Sequence, residues 1–435
     1  MKRVSSKRRR HFQLVRRKRE KRLVRKSSRS RGLRGPGRRK AAAGTRIIAR
    51  RSDARRAVVK IPEIFSLLDE PATAISALSK IRGACAANST KEIHLDHSRC
   101  KRLGLCASVV TDVLLLQARN RRKGNPLALS GTNSKDADVN IMIRATGILH
   151  NIKHPYAVLP EEIERTIRRS ELYSGKASRR ERSRHCDIAA TKLIDYFNNC
   201  LGTHGFELSD EGIRDLSALI TEVIGNAEEH GGHWYTIGFY RQKTSALATG
   251  ECHIVLFNFG QSIYESLDSD SASDELKSHI RALADRHRRR GFMDLLTRRR
   301  WSEESLWTLY ALQEGVSRFS FTERGRDRGN GTVKMIEFFL SLAGRSAKMC
   351  ILSGKAYILF DGKYRPQDRP IGASETRKIV AFNRANDLEK PPNRKYVFTL
   401  PQGFPGTLIS LRFSLRKANL ETLMEGKQNG NTHNN

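Results

Sequence analysis

The first 60 residues carry 26 Lys or Arg and only two acids, Glu20 and Asp53. Charge at that density repels itself and leaves nothing to bury, so residues 1–56 are read as a disordered polybasic tail. The remaining 375 residues hold 55 bases and 43 acids, a moderately basic body that must supply any folded core. The natural partner of such a tail is a polyanion. Nucleic acid is the first candidate, because Lys and Arg that neutralise phosphates release counterions. A solubilising tail, a contact with an anionic surface and an Arg- and Ser-rich transit leader remain open readings of the same residues.

Seven cysteines, at 85, 100, 106, 186, 200, 252 and 350, form no C-x-x-C pair. Scattered thiols in a long chain favour a reducing compartment over a disulfide framework or a zinc site. No apolar run approaches a membrane span, and the N-terminus lacks the apolar core of a secretory signal. A cytoplasmic protein without a membrane span is the expectation.

Residues 57–157 alternate between helical and strand patterns. "IFSLLDEPATAISALSKIRGAC" and "CASVVTDVLLLQARN" read as helices, "KEIHLDHS" and "PLALSG" as strands, and "DADVNIMIRATGILHNI" as a further helix. That alternation predicts a small α/β domain. Residues 158–185 are polar and charged and read as a connector with one short helix. Residues 186–416 are again α/β. Helices are predicted over 186–201 and 209–230, with Ser209 as N-cap, and strands over 233–242 and 251–260. A basic helical middle follows, with Trp301 and Trp307 packing inward. A Gly-rich loop then opens a helix (325–343), "AKMCILSG" and "KAYILFDG" read as a hairpin, and "GTLISLRFSL" closes the domain. The polar residues 417–435 read as a disordered tail.

The helix over 209–230 holds an unusual row. Glu222, Asn226 and His230 recur every four residues, along the edge of the apolar stripe made by Leu216, Leu219, Ile220, Val223, Ile224 and Ala227. Such a row is either a solvated stripe or the lining of a pocket. Downstream, Asn258-Phe259-Gly260-Gln261-Ser262-Ile263 follows an apolar strand, and Arg326-Asp327-Arg328-Gly329-Asn330-Gly331-Thr332 opens a helix. No Walker-type phosphate loop, zinc pattern or serine-hydrolase pattern occurs.

These three segments, in this order, resemble the motifs of the GHKL superfamily of ATP-binding proteins, which includes histidine kinases, anti-sigma-factor kinases and DNA gyrase. The resemblance implies a C-terminal α/β sandwich, a mixed sheet covered by helices on one face. It implies ATP and Mg²⁺ as cofactors. Asn226 would be the metal ligand, a hard oxygen donor to a phosphate-bound cation. Glu222 would be the catalytic group that orients or deprotonates the attacking water. His230 would lie near the phosphates. Asn258 stands where the family carries an Asp that accepts a hydrogen bond from the adenine amino group; an amide oxygen can still accept it. Gly260, Ser262 and Ile263 would border the base. Arg326, Arg328, Gly329, Gly331 and Thr332 would form the phosphate loop and the helix start behind it.

The strand ending in Asp96-His97-Ser98, followed by Gly104-Leu105 before a helix, is similar to the STAS fold of anti-sigma-factor antagonists. That resemblance implies a protein partner. The serine phosphorylated in that family corresponds to the stretch Gly104-Leu105-Cys106-Ala107-Ser108, which lacks the paired Asp-Ser. The resulting expectation is a regulatory ATP-binding protein, an ATP-dependent conformational switch with slow Mg-dependent hydrolysis. The alternatives are a serine/threonine kinase of the anti-sigma-factor type and a nucleic-acid-binding scaffold with a degenerate ATP site.

Overall fold

The computed structural model describes residues 2–3, 55–122, 127–176, 182–243, 249–269, 272–288, 301–316, 331–342, 347–371, 375–416 and 420. The readings made for the two tails therefore fall almost wholly outside the described residues, as do Arg326, Arg328 and Gly329.

The chain is mixed α/β. In the N-terminal unit, strands Arg55–Lys60, Thr90–Asp96 and Ala128–Thr132 lie side by side in chain order, all parallel. Parallel neighbours need crossover connections, and the helices Pro71–Ala86 and Leu105–Arg121 supply them. The first helix starts later than its apolar pattern suggests. Ile64–Phe65 instead pairs with Arg102–Leu103, and the helix begins at Pro71, whose missing N–H costs nothing in a first turn. Ala137–Thr146 follows, and Asp136 caps it through the N–H groups of Asp138 and Val139.

The larger unit is built on a six-stranded sheet. Its order is Lys348–Phe360, Val397–Arg416, Thr249–Asn258, His233–Lys243, and then both Ile167–Arg169 and Tyr173–Lys176 on the outer edge. Every pairing is antiparallel, not mixed. His233–Lys243 and Thr249–Asn258 are consecutive strands, whereas Tyr173–Lys176 with His233–Lys243, and Thr249–Asn258 with Val397–Arg416, are connected through helices that return the chain antiparallel to its partner. The stretch read as a connector contributes the two edge strands.

The expected hairpin over 347–362 is instead one strand, Lys348–Phe360, both halves of which pair with Val397–Arg416. Gly354 takes φ +55 and the register shifts on either side of it, so it makes a bulge where a turn was expected. A further hairpin, Gln367–Ile371 with Glu375–Ile379, was not foreseen.

Both faces of the sheet are covered, which corrects the expectation of one. The period-2 alternation of each strand separates two cores. Tyr235, Ile237, Phe239, Val255, Phe257, Cys350, Leu352, Leu400 and Leu408 face the N-terminal unit and merge with its core through Ile75, Leu78, Val110 and Val113. Tyr240, Cys252, Met349, Ile351, Ile358, Phe413 and Leu415 face the helices Arg182–Gly202, Asp210–Gly231 and Gly331–Leu342. Trp307 is fully buried beside the Ile263–Asp268 helix, and Trp301 is half-buried with its indole N–H on the Val397 carbonyl, 2.9 Å away.

Polar contacts tie the N-terminal unit to the sheet. Asp69 takes both arms of the Arg412 guanidinium at 2.7 Å each, with Lys348 at 3.3 Å. The Tyr357 hydroxyl donates to the Leu67 carbonyl at 2.7 Å, and Gln117 donates to the Tyr235 hydroxyl at 2.8 Å. Among the described residues, no helix is long and apolar enough to cross a membrane.

Candidate functional site

The Asp210–Gly231 helix begins where its sequence predicts. The Ser209 hydroxyl accepts the Gly212 N–H at 3.1 Å, and Asp210 and Glu211 place negative charge on the positive end of the helix. It ends at Gly232, φ +67, whose N–H returns to the Glu228 carbonyl. Leu216, Ile224 and Ala227 are buried, each side chain contributing about 1–3 kcal/mol by leaving water. Ile224 and Ala227 pack against Trp234 and Leu256, so the C-terminal half of the helix lies over the sheet close to the end of the Thr249–Asn258 strand.

This packing sets the polar row. Glu222 is half-buried and Asn226 exposed, one turn apart, and neither side chain makes a hydrogen bond or ion pair with a described residue. The backbone of His230 lies in the last turn; its side chain falls outside the described residues. Among the described side chains of this helix the buried acid is Glu228, which accepts the Trp234 indole N–H at 2.9 Å and so pins the helix end to the sheet.

Asn258 is the last residue of its strand and is 3% exposed. It belongs to a row of ladder partners, Ser353–Thr407–Asn258–Trp234, that crosses the sheet on its helix-covered face. The Thr407 backbone N–H donates to Asn258 Oδ1 at 3.1 Å. The hydroxyls of Ser353 and Thr407 are 2.8 Å apart, and Ser353 Oγ also accepts the Ile263 N–H at 2.7 Å. Gly406 makes this closeness possible. Its φ is +140, and a Cβ there would sit 2.2 Å from the Asn258 carbonyl oxygen and 2.8 Å from Oδ1.

The other expected base-side residues are placed less uniformly. Gly260 is exposed in the bend after the strand. The Ser262 hydroxyl is committed to a capping box: it accepts the Glu265 N–H at 3.2 Å, while Glu265 Oε2 accepts the Ser262 N–H at 2.7 Å. Ile263 is half-buried, packed between two cores. On the phosphate side, Gly331 and Thr332 form the first turn of a 12-residue helix. Met335, Ile336 and Phe339 of that helix share a core with Leu216 and with the half-buried Leu219, Ile220 and Val223 of the Asp210–Gly231 helix. The two helices and the Asn258 strand end are thus brought to one face of one sheet. Arg326, Arg328 and Gly329 lie outside the described residues.

Three participants were not singled out from the sequence. Ser353 and Thr407 join Asn258 only through strand pairing. Glu304 accepts the Lys355 N–H at 2.8 Å beneath the Gly354 bulge; burial pushes its carboxyl up, against that hydrogen bond. Among the described residues, no group of three or more His, Cys, Asp or Glu converges to hold a metal. A magnesium ion held largely by phosphates and water needs only one or two protein oxygens. The amide of Asn226, which makes no hydrogen bond with a described residue, fits that demand, whereas the Asn258 oxygen faces the Thr407 N–H. A shallow open groove lined by Lys60, Pro62, Thr73, Ser76 and Lys80 lies on the N-terminal unit. No protein-family model matches the chain, nor does any curated protein or solved structure at a significant level.

Proposed function

We propose that the chain is a nucleotide-dependent regulatory switch of the GHKL kind, with slow Mg-dependent hydrolysis of a nucleoside triphosphate, ATP on the resemblance. One observation supports this above all. The uncommitted Glu222 and Asn226, the polar Asn258 row and the start of the Gly331–Leu342 helix share one face of one sheet. In this reading Asn226 offers its amide oxygen to magnesium, which would neutralise phosphate charge. Glu222 positions and deprotonates the attacking water. The free N–H groups at Gly331 and Thr332 receive phosphate oxygens, with Arg326, Arg328, Gly329 and His230 completing that side.

A switch is favoured over a kinase that modifies its own N-terminal unit. Ser108, in the stretch compared with the phosphorylated serine, is 7% exposed and lies in the helix that packs on the sheet. A protein partner would use the outer face of the parallel sheet, where Val58 is 53% exposed and a polar cluster of Arg56, Glu92, His94 and Ser130 lies open. Nucleic acid is the second partner. The Lys60–Lys80 groove favours it, because it continues the basic segment onto folded surface. All seven cysteines are free thiols, which supports the cytoplasm as the compartment.

The decisive measurement is Mg-dependent binding of ATP and GTP to the full chain, followed by phosphate release. Asn226→Ala should lose the magnesium dependence of binding. Glu222→Gln should keep binding and lose about 10²-fold or more in turnover. A folded wild-type chain that binds neither nucleotide ends the proposal. For nucleic acid, removal of residues 1–54 should flatten the salt dependence of binding; an unchanged slope removes the basic segment as the contact.

A further inference from the structure

The nucleotide reading leaves open which base the site accepts, and the hydrogen bonding of Asn258 bears directly on that. A backbone N–H can only donate, so the Asn258 atom that meets Thr407 N at 3.1 Å is the carbonyl oxygen. The amide orientation is thereby set by the backbone of the neighbouring strand. Gly406 holds that backbone in place, since any side chain there would collide with Asn258. The opposite end of the side chain is Nδ2. It makes no hydrogen bond with a described residue, and it is not one of the buried polar atoms left without a partner. Nδ2 therefore retains some solvent access and presents a donor to whatever occupies the space beyond the strand end.

A carboxylate at this position would present an acceptor, the complement of the exocyclic amine of adenine. An amide whose oxygen faces the neighbouring strand turns its donor outward, the complement of a carbonyl at the same ring position. We infer that the base selected here is a 6-oxopurine, guanine or hypoxanthine, and that Asn258 Nδ2 donates to its O6. The inference rests on the nucleotide-site reading above. An adenine in the same pose would set its amine against the Asn258 amine, leaving donors without acceptors. Such a mismatch weakens binding by roughly ten- to a hundredfold. Ser353 Oγ accepts from Ile263 and pairs with Thr407 Oγ1, so these hydroxyls are turned toward each other.

The test compares Mg·GTP, Mg·ITP and Mg·ATP binding to the full-length chain by calorimetry. ITP carries O6 without the 2-amino group, so it isolates the contact in question. Wild type should bind GTP and ITP about tenfold or more tightly than ATP. Asn258→Asp keeps an oxygen for the Thr407 N–H and gains a second acceptor, so it should reverse the preference toward ATP. Asn258→Ala should bring the three affinities close together. A wild-type chain that binds ATP as tightly as GTP, or an Asn258→Asp chain with an unchanged ratio, overturns the inference while leaving the nucleotide site standing. If circular dichroism shows wild type and Asn258→Asp folded and neither binds any of the three, the nucleotide site itself is refuted, and the base assignment falls with it.

Discussion

The two faces of the six-stranded sheet differ in where their polar groups sit. The face toward the N-terminal unit is a continuous apolar layer, closed by Tyr357 on the Leu67 carbonyl and by Asp69 on Arg412 and Lys348. The face toward the helices has an apolar centre too, but at one end it carries Ser353, Thr407, Asn258 and Trp234 across four neighbouring strands. Polar groups are costly inside a core unless each one is partnered. On the first face the polar groups meet across two units and hold them together. On the second, Asn258 Nδ2, Glu222 and Asn226 make no hydrogen bond with a described residue. That contrast separates the face that joins the two units from the face proposed to be functional, and it can be attacked from both sides.

The largest effect should come from Asp69. Burial pushes its carboxyl up, but the hydrogen bonds and charge of Arg412, helped by Ser66 and Lys348, outweigh this and hold it well below the ordinary carboxylate range. Asp69→Ala leaves Arg412 without its bidentate partner, at a cost of about 3 kcal/mol or more in unfolding free energy. Nucleotide preference should not change, since the clamp lies on the other face. For wild type the sign of the pH effect follows from the lowered value. The clamp contributes fully above the unfolded carboxylate pKa of about 4 and is lost as pH falls through the folded value. Urea unfolding at pH 7 and below pH 4 should therefore show the Asp69→Ala difference shrinking with acid. A difference that persists in acid would mean the clamp is not ionic.

A second prediction concerns Asp112, inside the Leu105–Arg121 helix that packs on the closed face. Its Oδ1 accepts the Ile148 N–H at 2.9 Å, its Oδ2 has no hydrogen-bond partner among the described residues, and burial raises its pKa to about 8. A raised folded value means stability that is complete below the unfolded pKa and declines as pH climbs from about 4 toward 8. Asp112→Asn retains the acceptor for Ile148 without the ionisation. It should be more stable than wild type at pH 8, with the gain vanishing near pH 4. Denaturant midpoints at the two pH values measure it; a gain independent of pH would show that Asp112 does not titrate in the folded chain. On the functional face, Glu228→Ala strands the buried Trp234 indole N–H and should cost about 1–3 kcal/mol. Unlike Asp69→Ala, it should also weaken nucleotide binding, because Glu228 anchors the helix that carries Asn226.

The two faces differed in how far they could be read from the chain alone. The Asp210–Gly231 helix was legible at both ends, since Ser209 and Gly232 act locally, within a turn of what they cap. The strands around 243–249 were legible for the same reason: alternation and a polar turn are short-range signals. Gly354 misled because a Ser-Gly-Lys run between apolar stretches looks like a turn, and only pairing of both halves with one partner strand shows a bulge. The strands at 167–169 and 173–176 are too short and too charged to show a period, and they exist because the edge of His233–Lys243 needs partners. Ser353 and Thr407 stand 54 residues apart, and Thr407 and Asn258 stand 149 apart. No spacing rule could have joined them. Asn258 itself was legible as a departure, but what its amide oxygen does depends on a backbone group that no local pattern places beside it.

The smallest effect belongs to the helix start. Ser209→Ala removes the acceptor for the Gly212 N–H and should cost about 1 kcal/mol, by loss of a cap alone. Its use lies in the comparison with Glu228→Ala. Both changes destabilise the same helix, but Ser209 is nearly five turns from Asn226, while Glu228 lies half a turn beyond it, at roughly 3.6 residues per turn. If the site depends on the local hold of Glu228 on Trp234, Ser209→Ala should lower the melting temperature a few degrees and leave nucleotide affinity unchanged. Equal losses of affinity in the two variants would mean that the helix moves as one rigid rod, and that the functional face is set by the whole helix, not by its anchored end.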